Sequence, residues 1–285
     1  MEKCRFCGGK CFEFSSAQIL SHTALYLKCE ACGSLQVANP FWLADAHKDG
    51  VHDTDAGLVQ RSLMVNRLIG TVLTLNGNSN SSGIDWGGGA GLLTRLLRNQ
   101  GFQCLSHDKY ASQQLAAGFI ANDHQLNSKK TFVTAIECVE HLIDPINALK
   151  QVVRSSDIFI FTVELLPFPT PNPADKNPWW YFVPEAGQHI TFPSKVGLES
   201  YRKELGFNFY TQIGLLHIFS REKIQFWLRT VARFPRALSL LTFFIQRYNN
   251  KHFYLGTIDT EFLKRESVTP HQQMNTLGRF EYPLS

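Results

Sequence analysis

The sequence predicts an α/β protein with a mostly parallel sheet, an antiparallel edge hairpin and a small N-terminal module held by metal. Three observations carry this expectation. From about residue 58 to residue 220, strand-like apolar runs alternate with stretches of helical period, the pattern of a parallel sheet flanked by helices. Phe207 to Ile213 and Leu215 to Phe219, on either side of Gly214, read as the two strands of a closing hairpin. Four of the seven cysteines fall within the first 32 residues as two Cys-x-x-Cys pairs.

Composition sets the outer bounds. With 44% hydrophobic side chains in 285 residues there is enough apolar material for a packed core, which excludes a disordered chain. A net charge of +4 is too small for a dedicated binder of phosphate backbones, so no nucleic-acid partner is expected. Seven cysteines are too few, and an odd number, for a disulfide scaffold. The start, Met1-Glu2-Lys3-Cys4-Arg5-Phe6, lacks the apolar core and cleavage site of a secretory leader, so a reducing, cytoplasmic location is expected. The longest strongly apolar run, Ala237 to Ile245, is shorter than the ~18–20 residues that span a bilayer, so no transmembrane segment is expected.

On this reading the chain divides into a module at 1–40, a linker at 41–57, a sheet domain at 58–220 and a helical extension at 221–285. In the extension Arg221, Lys223, Arg229, Arg233 and Arg236 are interleaved with Ile224, Phe226, Trp227, Leu228, Val231 and Phe234. That predicts an amphipathic helix with its apolar side on the domain.

The elements follow in order. Cys4-Arg5-Phe6-Cys7-Gly8 and Cys29-Glu30-Ala31-Cys32-Gly33 have the same form, with room for a short hairpin between them. A two-residue gap lets both thiolates reach one ion at ~2.3 Å, and the glycine after each pair permits the positive φ of the turn. Cys4, Cys7, Cys29 and Cys32 therefore predict a zinc ribbon. Four sulfur ligands leave no open position, so the zinc is expected to be structural and to supply folding energy. Cys11, Cys104 and Cys138 are expected to be incidental.

Leu63, Met64, Leu68, Ile69, Val72 and Leu75 recur at helical spacing and predict a helix over 58–75, broken by Asn76 to Gly83. Ile84-Asp85-Trp86 is a very short strand leading into Gly87, Gly88, Gly89 and Gly91. Leu92 to Arg98 follow as a helix stopped at Gly101. Strands are expected at Phe102 to Ser106, Thr131 to Ile136 and Asp157 to Val163, and no clear strand lies between Asp108 and Thr131. Asp144-Pro145 opens a helix to about Arg154, and Ser194 caps one that ends near Gly206. Ligands on such sheets bind beyond the carboxyl ends of the strands, here the loops after 86, 107, 136 and 163.

Asp85-Trp86-Gly87-Gly88-Gly89-Ala90-Gly91 has the form Asp-x-Gly-x-Gly-x-Gly between a strand and a helix, with Asp108 ending the next strand. Glycines allow close backbone approach to a ligand, and an acid so placed accepts both hydroxyls of a ribose. This segment resembles motif I of class I S-adenosylmethionine-dependent methyltransferases. Thr134 to Pro145, with Glu140-His141 ahead of Asp144-Pro145, resembles the segment after the fourth strand in the ubiquinone-type and glycan-pathway members. Trp179 to Ser194 is similar to the substrate-side segment of bacterial members. A four-cysteine module joined to this domain resembles the sugar C-methyltransferases that act on nucleotide-linked deoxysugars.

The resemblance implies a Rossmann-like, seven-stranded sheet and S-adenosylmethionine as cofactor. It implies that Asp85 helps hold the methionine end, that Trp86, Gly87, Gly89 and Gly91 face the cofactor, that Asp108 binds the ribose and that Glu137 lies beside the methionine moiety. The expected acceptor is a small sugar-like molecule, a saccharide or nucleotide-sugar. A small phenolic or quinone-like acceptor and a non-catalytic adaptor are the alternatives.

Methyl transfer is an in-line displacement aided by positioning, and a hydroxyl nucleophile benefits from a base that titrates near neutrality. His189, in the aromatic loop after the fifth strand, is the expected substrate-side base, and His141 faces the same cleft. Glu185 and Tyr181 are expected to orient His189, and Glu164, Trp180, Tyr181 and Glu185 to contact the acceptor.

Overall fold

The computed structural model describes residues 2–47, 57–225, 228, 230 and 234–267. Residues 48–56 of the expected linker lie outside that set. So do Phe226, Trp227, Arg229, Val231 and Arg233 of the expected basic helix, and the extension from residue 268 onward.

Between the cysteine pairs, β1 (Cys11–Ile19) and β2 (His22–Cys29) form an antiparallel hairpin from Cys11 opposite Cys29 to Ile19 opposite His22. β3 (Leu35–Val37) adds to the other edge of β2, and α1 (Leu43–Ala46) ends the segment. α2 (Leu58–Leu75) buries Val65, Leu68, Ile69, Val72 and Leu73, one stripe at helical spacing. β4 (Ser82–Trp86), α3 (Leu92–Asn99), β5 (Gln103–His107), α4 (Asp123–Asn127), β6 (Lys130–Ala135), α5 (Pro145–Val153) and β7 (Ser156–Phe161) then alternate. α5 starts as its sequence demands: the Asp144 carboxylate accepts from the Asn147 amide at 3.1 Å, and Pro145 fills the first turn, where no N–H is needed.

After β7 a long connection carries β8 (Thr191–Phe192) and leads to α6 (Lys195–Glu204), capped by the Ser194 hydroxyl accepting from Gly197 N at 2.9 Å. β9 (Phe209–Ile213) and β10 (Leu216–Ser220) form the hairpin, followed by α7 (Pro235–His252) and α8 (Gly256–Ser267). α8 is fixed to α3 by an ion pair that is 2% exposed on both sides. Arg98 Nη2 and Nε donate to the two Asp259 oxygens at 2.6 and 2.7 Å.

Among the described residues the strands form a four-stranded sheet, β1-β2-β3-β8, and a six-stranded sheet, β5-β4-β6-β7-β10-β9. β5, β4, β6 and β7 are parallel, and β10 and β9 close the edge antiparallel, as expected. Apolar residues of α2 and α3 pack on one face with Phe102, Phe132 and Ile158. The other face packs Phe159 and Phe161 against α5, α6 and the N-terminal module. No helix among the described residues is long and apolar enough to cross a membrane.

Among the described residues the larger sheet has six strands where seven were expected. Between β5 and β6 the chain makes only an isolated parallel bridge, Ser106 to Ile120, in which Ser106 N donates to Phe119 O at 2.7 Å and Ala121 N to Ser106 O at 2.8 Å. Gly118 turns the chain at φ 82° just before the bridge, and Asn122 caps α4 just after it. Too little extended backbone remains for a strand.

Candidate active site

The carboxyl ends of β4, β5, β6 and β7 open on a cleft of about 2050 Å³. On one wall Gly87, Gly89 and Gly91 have φ of 70°, 55° and 87°, where a side chain is strained. A Cβ on Gly87 would sit 2.3 Å from Cys138 Sγ and one on Gly91 2.4 Å from Ala116 Cβ, whereas at Gly89 nothing lies within 4 Å. Gly89 thus leaves its backbone open to a ligand. Asp108 pins the loop: Oδ2 accepts from Gly89 N at 2.9 Å, and Oδ1 accepts from Tyr110 N and Ala111 N at 2.8 and 2.7 Å. A carboxylate has about four acceptor sites, so capacity remains for a ligand hydroxyl.

Asp85 lies beneath the same loop at 1% exposure. Its oxygens accept from Thr134 Oγ1 at 2.8 Å and Thr94 Oγ1 at 3.0 Å, and burial pushes its carboxyl up to about 6. Glu137, just past β6, has the rare backbone angle φ 52°. Thr162 holds it there, accepting from Glu137 N and donating to Glu137 Oε1, both at 2.7 Å, while Arg61 Nε stands 3.6 Å from the other oxygen. Trp86 lines the cleft beside these residues.

Across the cleft three imidazoles meet. His141 lies between His47 and His189, with ring centres 5.1 and 5.0 Å away. His189 Nδ1 is 2.7 Å from the Tyr181 carbonyl, which can only accept, so Nδ1 carries the proton and Nε2 the lone pair. Burial lowers His47, His141 and His189 below the ordinary histidine value, and the mutual proximity of the rings deepens the shift at His141. All three are neutral at neutral pH.

Behind them Glu140 is fully buried. Its Oε1 accepts from Tyr181 OH at 2.7 Å, and its Oε2 has no hydrogen-bond partner among the described residues. Burial, and then the charge of Glu137, push its carboxyl up to about 8. Trp180, 69% exposed, and the exposed Glu164 and Glu185 complete this wall. Burial, and then Glu137, raise Glu164 above the ordinary carboxylate value.

The cleft is lined by the expected residues except Gly91, which packs on Ala116 behind the loop, and they come from loops far apart in sequence but not in equal postures. Asp85 and Tyr181 are buried, and the Tyr181 hydroxyl is committed to Glu140. It is the Tyr181 carbonyl that orients His189, while Glu185 stands exposed. His47, Arg61, Glu140 and Thr162 were not singled out from the sequence. Glu140 is adjacent to His141 in a recognisable segment, but His47 falls in the expected linker, where no local signal marks it.

The four cysteines gather at the other end of the module. Their Sγ atoms lie within 4.8 Å of one another, with Cys4–Cys32 at 3.6 Å and Cys7–Cys29 at 3.5 Å. A tetrahedral zinc with ~2.3 Å bonds needs edges of ~3.8 Å, so the four sulfurs fit one ion. The two turns are built alike. Gly8 N donates to Cys4 O and Gly33 N to Cys29 O, while Cys4 N donates to Gly9 O and Cys29 N to Ser34 O. Gly8 and Gly33 take φ of 70° and 74°.

A parallel sheet with a glycine loop and an acid at successive strand ends defines the doubly wound class of α/β proteins, with the cleft beyond the strand ends. The profile of the methyltransferase-domain family matches residues 60–212, and the chain belongs to that family. No curated protein matches it. Among solved structures, an O-methyltransferase family protein from Burkholderia thailandensis is similar, with 13% identity over 61% of this chain and 62% of its own, at a TM-score of 0.44. CalO1, a methyltransferase of calicheamicin biosynthesis bound to SAH, shares 14% identity over 62% of this chain and 59% of its own, at 0.40. Magnesium protoporphyrin IX methyltransferase of Synechocystis PCC 6803, with bound SAH, shares 15% over 64% of this chain and 93% of its own, at 0.39. The chain thus spans about 62% of the length of the Burkholderia protein.

Proposed function

We propose that the protein is an S-adenosylmethionine-dependent methyltransferase acting on a hydroxyl of a saccharide or nucleotide-linked sugar, with structural zinc at Cys4, Cys7, Cys29 and Cys32. The observation that carries this reading is the single cleft with the Gly87–Gly91 loop, Asp108 and Glu137 on one wall and His141 and His189 on the other. When bound, S-adenosylmethionine supplies an electrophilic methyl group on a sulfonium. Asp108 would accept from a ribose hydroxyl, the backbone at Gly87 and Gly89 and the side chain of Trp86 would border the cofactor, and Glu137 would face the methionine end. Asp85, bonded to Thr94 of α3 and Thr134 of β6, acts from beneath by tying the end of β4 to the elements on either side of the loop.

His189 is the proposed base. Its Nδ1–H is tied to the Tyr181 carbonyl, so the acceptor proton moves from the hydroxyl oxygen to Nε2 as the oxygen attacks. His141, whose charged form burial disfavours, adds no positive charge beside His189. Exposed Glu164 and Glu185 offer carboxylates to further hydroxyls, and Trp180 and Tyr181 form an aromatic wall, the usual complement of a sugar. A phenolic acceptor is the second reading, favoured by the 69% exposure of the Trp180 ring.

The test is calorimetry with S-adenosylmethionine on the zinc-loaded protein, then methyl incorporation into nucleotide sugars and small phenols. Asp108→Ala removes the one charge-assisted bond left to a ribose hydroxyl, at about 1.5–3 kcal/mol, so binding should weaken at least ~10-fold. No binding to the native protein would overturn the reading, and incorporation into phenols alone would select the second.

A further inference from the structure

Arg5 stands inside the first cysteine turn, between Cys4 and Cys7, yet its side chain reaches into the acceptor wall. Its guanidinium donates to Val37 O and Ile190 O, each at 2.8 Å, and to Thr191 Oγ1 at 3.1 Å. Ile190 and Thr191 directly follow His189. The second cysteine turn holds the same stretch further on: the Ser194 hydroxyl donates to Cys32 O, and Ser194 N donates to Ser34 Oγ at 3.0 Å. Between these ties, Thr191 and Phe192 pair as a strand with Gln36 and Leu35. On the other side of His189, Trp42 Nε1 donates to Gly187 O at 3.0 Å and Leu20 N to Pro184 O at 2.9 Å.

The cofactor wall is anchored differently. Gly87 N donates to His107 O, Gly89 N to Asp108 and Glu137 N to Thr162, all within the larger sheet and its loops. The N-terminal module makes none of these bonds.

We propose that the four-cysteine site is the clamp of the acceptor wall, with Arg5 a positioning residue for His189. An ion on the four sulfurs fixes the Cys4–Cys7 turn, the turn aims the Arg5 fork, and the fork, together with the second turn, sets the backbone of 190–194 and so the place of the preceding imidazole. Loss of the clamp then disarms the acceptor wall and leaves the cofactor wall intact. This rests on the reading of His189 as the acceptor-side base, but the order of residues 184–194 can be measured without any acceptor.

The experiment uses the full chain loaded with zinc, as wild type, Arg5→Met and Arg5→Lys. Amide exchange by mass spectrometry is read at 184–194 and at 83–108, with zinc content and SAH affinity measured alongside. In Arg5→Met, exchange at 184–194 should speed by at least ~10-fold, while zinc content, exchange at 83–108 and SAH affinity stay at wild-type values. Loss of the two hydrogen bonds to Ile190 and Thr191, and of the third that ties the fork to Val37, is commonly worth that much. Arg5→Lys keeps the charge without the fork and should recover only part of the protection. Methyl transfer, where measurable, should lose on the order of 10–100-fold in kcat with an unchanged KM for S-adenosylmethionine, the expected effect of a displaced base. Zinc extraction from the wild type with a chelator should reproduce the exchange pattern and decides the matter if Arg5→Met fails to fold.

Unchanged exchange at 184–194 overturns the proposal. So does an equal loss of protection and of SAH affinity in both walls, which would make the module a general support. If the exchange pattern appears but no acceptor is ever methylated, the clamp stands and the activity reading falls.

Discussion

Glu140→Gln isolates the energetic consequence of placing a carboxyl in the wall behind His141 and His189. Glu140 is fully buried, its carboxyl bonded among the described residues through Oε1 to Tyr181, and burial followed by the charge of Glu137 holds that carboxyl at about 8 rather than the ordinary 4.5. Between those values the folded protein keeps a proton that the unfolded chain releases, so stability must fall as pH rises from 4.5 to 8. At about 1.4 kcal/mol for each pH unit, the full span corresponds to about 5 kcal/mol, of which ~3 is developed by pH 7. Gln carries no such dependence, but where the protonated carboxyl leaves one O–H at Oε2 without a partner its amide leaves two N–H, a further cost of about 1–3 kcal/mol.

The variant should therefore be less stable than wild type at pH 5 and more stable at pH 8. Urea unfolding of both proteins at pH 5, 6.5 and 8 reads the crossing. The buried histidines act with the opposite sign, since their lowered values make the unfolded chain bind more protons below pH 6.5, but they are common to both proteins and cancel in the difference. A difference that stays constant across the three pH values would refute the reasoning.

His189→Gln should preserve SAH affinity while transfer falls by about 10²–10⁴-fold, the usual worth of a general base; equal loss of affinity would place His189 elsewhere in the mechanism. In the wild type, burial holds His189 below 6.5, so the base form prevails at neutral pH and kcat/KM should decline only as pH falls below that value; an acidic limb centred above 6.5 would contradict it. Asp259→Ala removes the carboxylate that faces the buried Arg98 guanidinium, which keeps its bond to the Cys104 carbonyl, and should destabilise the fold by about 3 kcal/mol in urea, with cofactor affinity retained in the folded protein. Cys29→Ser should lower zinc content below one ion per chain and speed proteolysis within residues 2–40, because a segment this small depends on the ion for its folding energy.

What the sequence discloses is what local periodicity and turn chemistry can encode. α2 spans Leu58–Leu75 because its apolar residues recur at helical spacing and Asn76-Gly77 stops it, and both signals are local. The β9–β10 hairpin is legible through Gly214, with φ 59° between two apolar runs. β8 is illegible for the opposite reason. Two residues have no period, and Thr191 becomes a strand only because Gln36, far away in sequence, is there to pair with it. The same limit governs the site. Glycine spacing marks the cofactor wall because one turn builds it, whereas His47 and Glu140 take their places through burial and contacts that no window of sequence contains.

The core explains why the two walls differ in origin. Phe6 of the first cysteine turn packs edge-on against Tyr201 of α6 at 5.6 Å, and Tyr26 of β2 packs against Phe182 and Phe192 of the acceptor segment at 5.5 and 6.3 Å. The module's apolar face is thus completed by the same segment that carries His189. A piece of chain too small to bury its own core gains one by covering the acceptor loop, and that loop, with only two residues in a strand, gains order from the module. Each side is incomplete without the other, while the glycine loop and Asp108 need neither. Changes in the acceptor should therefore be written jointly in the module and in residues 180–194, and changes in cofactor handling in residues 83–108 and around Glu137.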